Sequence, residues 1–351
     1  MKNVVLILLI GIIAFDAGAQ NANLPRVKIL ATGGTIAGAG AAADRAGYKA
    51  GALPIDELLN AVPQIHKIAN VTGEQIASVG SQDMTIDIWK KLALRINEIF
   101  TKNEADAVVI THGTDTQEET SYFLDLTIPF KNTVVITGSM RPATGISADG
   151  PKNLYDAVTV AANPASRGKG VLICFNEGIF DGRDAVKIST TKLNAFASPN
   201  TGPVGQVYDG KVEYYLTSLR EVNVGTPFKI TAQTTFPKVD IIYMYADASG
   251  NLIDDAVKDG AKGLVIAGVG NGNFNKAYLE AISAAVKKGV IVCRASRCVS
   301  GRVVLEDEID DKALGTIVSD DLNPQKARVL LMLGLTTTSD KAKLQKYFFD
   351  Y

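Results

Sequence analysis

The chain has 351 residues, of which 46% are apolar and 21% charged. That length and composition suit two globular domains with a sizeable core. A formal net charge of −1 at pH 7, with no basic cluster interleaved by aromatic residues, gives no field that would draw the protein to nucleic acid or to an acidic membrane surface.

The first residues stand apart. Lys2 precedes an almost wholly apolar run from Val4 to Phe15, and Ala17-Gly18-Ala19 fits a small-residue cleavage site. Residues 1–19 therefore predict a secretory signal peptide, too short for a membrane span, which leaves Gln20 as the mature N-terminus. An uncleaved anchor is the alternative. Three cysteines, Cys174, Cys293 and Cys298, are an odd number for an exported chain. Cys174 and Cys293 lie in apolar runs and predict buried thiols. Cys293 and Cys298 pair only if the chain turns sharply between them. No Cys or His spacing resembles a zinc site, and His66 and His112 are far apart in sequence.

Val27 to Leu30 predicts a buried strand, and it runs into Thr32-Gly33-Gly34-Thr35. The two glycines allow a turn at positive φ and a close approach to the backbone. Thr32 and Thr35 then put two hydroxyls at a strand end, where open α/β sheets bind ligands. Residues 38–52 are small, Gly/Ala-rich and predict a mobile loop whose one large ring is Tyr48. Tyr48 fits either a lid over a pocket or a ring tucked into the core. Leu53 to Asn60 predicts a short helix. Gly80 to Thr85 is another strand-end loop, with Asp83 or Thr85 as cap for a helix whose apolar face carries Ile88, Leu92, Leu94 and Ile99.

Ala107–Ile110 and Thr133–Ile136 repeat the buried strand, ending in Thr111-His112-Gly113-Thr114-Asp115-Thr116 and in Thr137-Gly138-Ser139-Met140-Arg141-Pro142. A helix over Asn153–Ala162, a strand over Gly170–Phe175 and a polar loop over Asp181–Lys187 follow. The pattern weakens after Tyr215, and Leu216–Lys238 contains Gly225, Pro227 and Pro237, which suits a linker. A second alternation then begins, with strands at Val239–Tyr245, Gly263–Ala267 and Gly289–Cys293 and helices at Asp254–Lys258 and Lys276–Lys288. Asn323-Pro324 opens a further helix to about Leu333, and a last one covers roughly Asp340–Phe349. The whole predicts an α/β fold in two domains. The larger, over 20–215, has a mostly parallel sheet with flanking helices. A linker at 216–238 leads to a smaller α/β domain over 239–351.

A threonine nucleophile needs a partner to activate its hydroxyl. Thr114, Asp115 and Lys187 offer a set without histidine, in which a lysine takes the proton and an aspartate orients it. His112 offers the alternative of a Thr-His-Asp triad, or a structural donor. Gly268-Val269-Gly270-Asn271-Gly272-Asn273 begins like a phosphate loop, but Asn273 stands where the third glycine belongs and no acidic residue ends a following strand. An amino-acid-binding protein of two α/β domains would use similar strand-end groups, so composition alone does not separate binding from hydrolysis.

The ordered set Ala31–Ala37, Gly80–Met84, Ile110–Thr116, Gly138–Pro142, Asp181–Asp184 with Lys187, Gly268–Asn273 and Leu322–Arg328 resembles the bacterial type II (periplasmic) L-asparaginases. The resemblance covers about Leu24 to Tyr351. It implies hydrolysis of L-asparagine to L-aspartate and ammonia through a covalent acyl-threonine, without metal or organic cofactor. Thr35 matches the nucleophile and Tyr48 the lid tyrosine, while Thr114, Asp115 and Lys187 match the second threonine-centred cluster. Ser81, Gln82, Thr114 and Asp115 match substrate-binding positions. Asn273 and Glu308 match residues contributed by a neighbouring subunit of a homotetramer arranged as a dimer of dimers, and the expected location is the periplasm. Several members have a disulfide where this chain has Phe100 and Phe130, so apolar packing replaces that staple. Gln82 and Asn273 fit the asparagine-preferring branch, with low glutaminase activity expected.

Overall fold

The computed structural model describes residues 24–44, 47–218, 220 and 225–351; the expected signal peptide lies outside them. The N-terminal half begins with β1 (Arg26–Gly33), α1 (Ile55–Asn60), β2 (Asn70–Val79), α2 (Ile86–Thr101), β3 (Ala107–Thr111), α3 (Gln117–Thr127), β4 (Thr133–Thr137), α4 (Gly150–Ala162) and β5 (Val171–Phe175). β6 (Gly178–Asp181), β7 (Val186–Lys187), β8 (Phe196–Ala197), β9 (Gly205–Tyr208) and β10 (Lys211–Tyr214) complete it. The C-terminal half holds β11 (Val239–Tyr243), α5 (Asn251–Lys258), β12 (Gly263–Gly268), α6 (Lys276–Lys287), β13 (Ile291–Ser296), α7 (Asp311–Leu314), β14 (Ile317–Val318), α8 (Pro324–Leu335) and α9 (Lys341–Asp350).

Eight strands form the large sheet in the order β10-β9-β6-β5-β4-β3-β1-β2, and β11-β12-β13-β14 form a second sheet. β2, β1, β3, β4 and β5 run parallel, as does the entire second sheet. β3, β4, β5 and β12 are buried at every position, because helices cover both faces of a parallel sheet. Between β1 and β3 the chain reverses its direction across the sheet, and this is the position where open α/β sheets leave a crevice at their carboxyl ends.

The packing is layered. One face of the large sheet carries α1 and α4, and the outer face of the small sheet carries α5 and α6. Between the two sheets lies a single core, built from α2 and α3 on one side and α8 and α9 on the other. Burial accounts for α8, where Ala327 and Val329–Gly334 are all enclosed; an apolar surface all round marks a helix with no solvent face. Thr85 caps α2 by accepting from the Ile88 N–H at 3.3 Å, and Asn323 caps α8 by accepting from the Lys326 N–H at 2.9 Å.

The structure adds three features to this outline. Residues 178–181 and 205–214 form antiparallel strands β6, β9 and β10 that extend the large sheet. The polar stretch from Asp181 to Lys187 turns inward: Asp181, Arg183 and Asp184 are buried, and it ends in β7. The loop after Gly38 is tied at its base, since Ala39 and Lys49 exchange backbone hydrogen bonds and Leu53 N–H donates to the Ala37 carbonyl at 2.9 Å. Phe100 and Phe130 do pack together, with ring centroids 5.5 Å apart. All three cysteines are free, Cys174 and Cys293 buried and Cys298 exposed.

Candidate active site

The crevice is built by two loops in backbone contact. Gly34 has φ 77°, and a Cβ there would lie 2.3 Å from the Gly113 nitrogen. Only glycine lets the β1 and β3 loops approach so closely. Thr35 and Thr114 each follow directly after this contact, so the two threonines flank the sheet's reversal point.

Thr35 is nearly buried, and its Oγ1 lies 2.6 Å from the Tyr48 hydroxyl. The Tyr48 ring rests on Gly38, where a Cβ would come within 2.7 Å of it. Tyr48 remains 41% exposed, so it lies over the threonine and outside the core. Lys187 Nζ donates to Thr114 Oγ1 at 2.8 Å and to Asp115 Oδ1 at 2.5 Å. Ser81 Oγ accepts the Asp115 N–H at 3.1 Å, so that N–H is not available to a substrate oxygen. The Ser81 carbonyl accepts from Thr116 Oγ1 at 2.8 Å. Gln82 is exposed on the same turn, with its amide donating to Asp83 at 3.2 Å. Thr32 donates to the Thr111 carbonyl at 2.9 Å and joins the two strands, away from the crevice chemistry.

His112 does not form a triad. It is fully buried, Nδ1 lies 2.6 Å from the Gly113 carbonyl and Nε2 lies 2.9 Å from Thr120 Oγ1. Trp89 Nε1 also donates to Thr120 Oγ1, at 2.7 Å. The Gly113 carbonyl only accepts, so the proton sits on Nδ1, and Nε2 of the neutral ring accepts from the Thr120 hydroxyl. Burial holds its pKa down at about 4.

Sequence reading missed the groups that hold Lys187. Glu118 Oε2 accepts the Lys187 N–H at 2.6 Å, and Glu118 Oε1 accepts from Asn323 Nδ2 at 3.2 Å. Lys326, 1% exposed, donates to the carbonyls of Arg183 and Ala185 at 2.6 and 2.5 Å. Its burial lowers its pKa to about 8. Both Asn323 and Lys326 belong to the start of α8, so the C-terminal half grips the segment that delivers Lys187. A lysine in the first turn of an otherwise apolar helix was the available signal: Lys326 precedes Ala327 and the run from Val329 to Leu333.

Asn273 and Glu308 come together elsewhere, in the C-terminal half, with Asn273 Nδ2 2.5 Å from Glu308 Oε2. Among the described residues no hydrogen bond joins this pair to Thr35, Thr114 or Lys187.

Such a site defines an α/β protein with hydroxyl chemistry at a strand crossover: one threonine beneath a tyrosine, a second beside a lysine–aspartate pair. A family model described as "Asparaginase, N-terminal" matches residues 26–220, and one described as "Glutaminase/Asparaginase C-terminal domain" matches residues 238–348. The chain belongs to the asparaginase family. It is 48% identical over 333 residues to a protein named "Probable L-asparaginase periplasmic" from Haemophilus influenzae, covering 95% of each chain. Identity to "L-asparaginase 2" of Escherichia coli is also 48%, over 93% of this chain and 94% of the relative. A "Glutaminase-asparaginase" of Pseudomonas aeruginosa is 42% identical, over 95% and 92%. A solved structure titled as a probable cytoplasmic L-asparaginase from Campylobacter jejuni superposes with a TM-score of 0.90 at 47% identity, covering 93% of this chain and 100% of that one.

Proposed function

We propose that the protein hydrolyses L-asparagine to L-aspartate and ammonia, with Thr35 as nucleophile. One observation carries this reading: two hydroxyls at the crossover of β1 and β3 each have a different activating partner, Tyr48 at 2.6 Å and Lys187 at 2.8 Å. The names of the relatives support the same substrate.

In the first half-reaction Thr35 Oγ1 attacks the side-chain amide carbon as its proton passes to the Tyr48 oxygen and the proton of the Tyr48 hydroxyl passes on to the amide nitrogen. The C–N bond breaks, ammonia leaves with that proton, and an acyl-threonine ester remains. In the second, water attacks the ester beside Thr114 and Lys187, its proton returns to Thr35, and aspartate is released. Asp115 and Glu308 take the substrate ammonium and Ser81 its carboxylate, which aligns the amide over Thr35. Asn273 and Glu308 reach the site from a neighbouring subunit of a homotetramer. Gln82 and Asn273 favour asparagine over the longer glutamine. Residues 1–19 direct export to the periplasm. An amino-acid-binding protein is not favoured, because the family's members carry hydrolase names.

Ammonia release from L-asparagine and L-glutamine by the purified protein tests the proposal. Fast release from asparagine, slow from glutamine, and a loss of about 10³-fold or more in Thr35→Ala are expected. A kcat/KM for glutamine near that for asparagine sinks the specificity claim, and full activity in Thr35→Ala moves the attack to Thr114.

A further inference from the structure

Asn273 and Glu308 stand on two separate segments, one a tight turn after β12 and the other the irregular stretch before α7. The turn is closed by paired backbone hydrogen bonds between Val269 and Asn273, at 2.9 and 2.8 Å. Glu308 is exposed, on a segment where Glu306 adopts φ 58°. An exposed glutamate on an irregular segment samples many positions unless something fixes its backbone.

Two side chains do so. Asn271 uses both ends of its amide: Nδ2 donates to Asp307 Oδ2 at 2.6 Å, and Oδ1 accepts the Val304 N–H at 2.8 Å. Its own carbonyl accepts from Arg294 Nη1 at 3.1 Å. The Arg294 guanidinium also reaches the carbonyls of Gly272 and Val304 at 3.3 and 3.1 Å. Beneath both, Arg294 forms a fork to Asp311 with two contacts of 2.6 Å, each partner only 1% exposed. Asp311 in turn accepts the Glu306 N–H at 3.1 Å, two residues before Glu308. Asn271 and Arg294 therefore each hold the turn of Asn273 with one hand and the Glu308 segment with the other. Gly272 fits this brace because a Cβ there would come 3.2 Å from Arg294 Nη1 and 2.8 Å from Val303.

We propose that Asn271 is a positioning residue for substrate recognition: backed by the Arg294–Asp311 pair, it sets the spacing of Asn273 and Glu308 and so the grip on the α-ammonium end of an amino-acid amide. The proposal rests on the reading of Asn273 and Glu308 as substrate residues. It assigns to Asn271 a role in KM and none in the chemical steps at Thr35. Arg294 is unsuited to a test, since its removal strands the Asp311 carboxylate in the interior. Asn271 is only half-buried and can be replaced without that penalty.

The test is a double-mutant cycle on steady-state kinetics with L-asparagine, using Asn271→Ala, Glu308→Ala and the double variant. Asn271→Ala is expected to raise KM about tenfold, the size of one charge-assisted hydrogen bond, with kcat within about twofold. In the Glu308→Ala background the same change is expected to raise KM less than about twofold, because the residue it positions is gone. Asn271→Asp sets two carboxylates face to face and raises KM at least as much. Adding Asp307→Asn restores a donor–acceptor pair and returns KM to within about threefold of the parent. An unchanged KM in Asn271→Ala, while Glu308→Ala raises it, overturns the proposal alone. Full multiplication of the two effects also overturns it, since Asn271 would then act independently. A Glu308→Ala enzyme with the parent's KM removes the substrate role of Glu308 and the proposal with it.

Discussion

Both ring nitrogens of His112 face protein groups, and the residue has no exposed surface. The unfolded chain binds a proton at His112 below about pH 6.5, whereas the folded chain resists it down to about pH 4. The folded pKa is the depressed one, so the unfolded state holds more protons across this window and stability falls as pH falls. The full stability from His112 is present above pH 6.5 and is lost as pH falls toward 4, by about 3 kcal/mol. Denaturant unfolding of the parent and of His112→Asn, at one protein concentration and at pH 7.5 and 4, is expected to give a pH dependence flatter by about that amount in the variant. Equal slopes in the two proteins would contradict a buried neutral imidazole. Sequence alone left His112 between base and structural donor, because its role depends on Trp89 and Thr120, which share a network with it only after α2 and α3 have packed.

At the level of elements, the β1 and β3 loops make contact through two glycines, and the geometry allows no substitute. Gly34→Ala puts a methyl within 2.3 Å of the Gly113 nitrogen at φ 77°. The loops must separate, and a strained backbone adds about 1–3 kcal/mol of its own. Activity is expected to fall at least about 100-fold, with a lowered melting temperature, because a misplacement of about 1 Å costs that much. A fully active Gly34→Ala enzyme would show that the spacing of the two threonine loops is immaterial. β1, β3, β4 and β5 of the parallel sheet were legible as apolar runs, and α2 and α8 by their caps, because both signals are local; β2, half-exposed with the sequence NVTGEQIASV, has no such run. The antiparallel extension was not read. Its first hairpin turns on Asn176-Glu177, both at positive φ (48° and 67°), without the glycine that usually marks such a turn. Its second does carry the signal, Asp209-Gly210 at φ 49° and 72°, and was readable in principle. The buried state of Asp181, Arg183 and Asp184 was not legible, since Arg183 pairs with Asp321, 138 positions away, at 2.6 Å.

For the whole molecule, the separation of Asn273 and Glu308 from the Thr35 group gives the proposed assembly a direct test. Thr35→Ala and Glu308→Ala proteins, each inactive or weak, are expected to regain activity when their subunits are exchanged, because some hybrid sites then hold both parent residues. No recovery after exchange has been verified by mass would rule out a shared site. Within one subunit the two halves share a core. Tyr122, Phe123 and Leu126 of α3 share one core with Leu330, Met332 and Phe348 of α8 and α9. The order of synthesis gives that shared core a further meaning. When the ribosome has made all eight strands of the large sheet, α2 and α3 still present an apolar flank to water, and Lys187 still lacks its grip from Asn323 and Lys326. The segment that follows supplies only part of that cover, with Phe228 and Ile230 in the same core and the Phe236 ring 6.0 Å from that of Phe123. Part of that face stays uncovered until residues 324–350 emerge, so a chain ended before Pro324 is expected to pellet after expression where the full chain stays in solution.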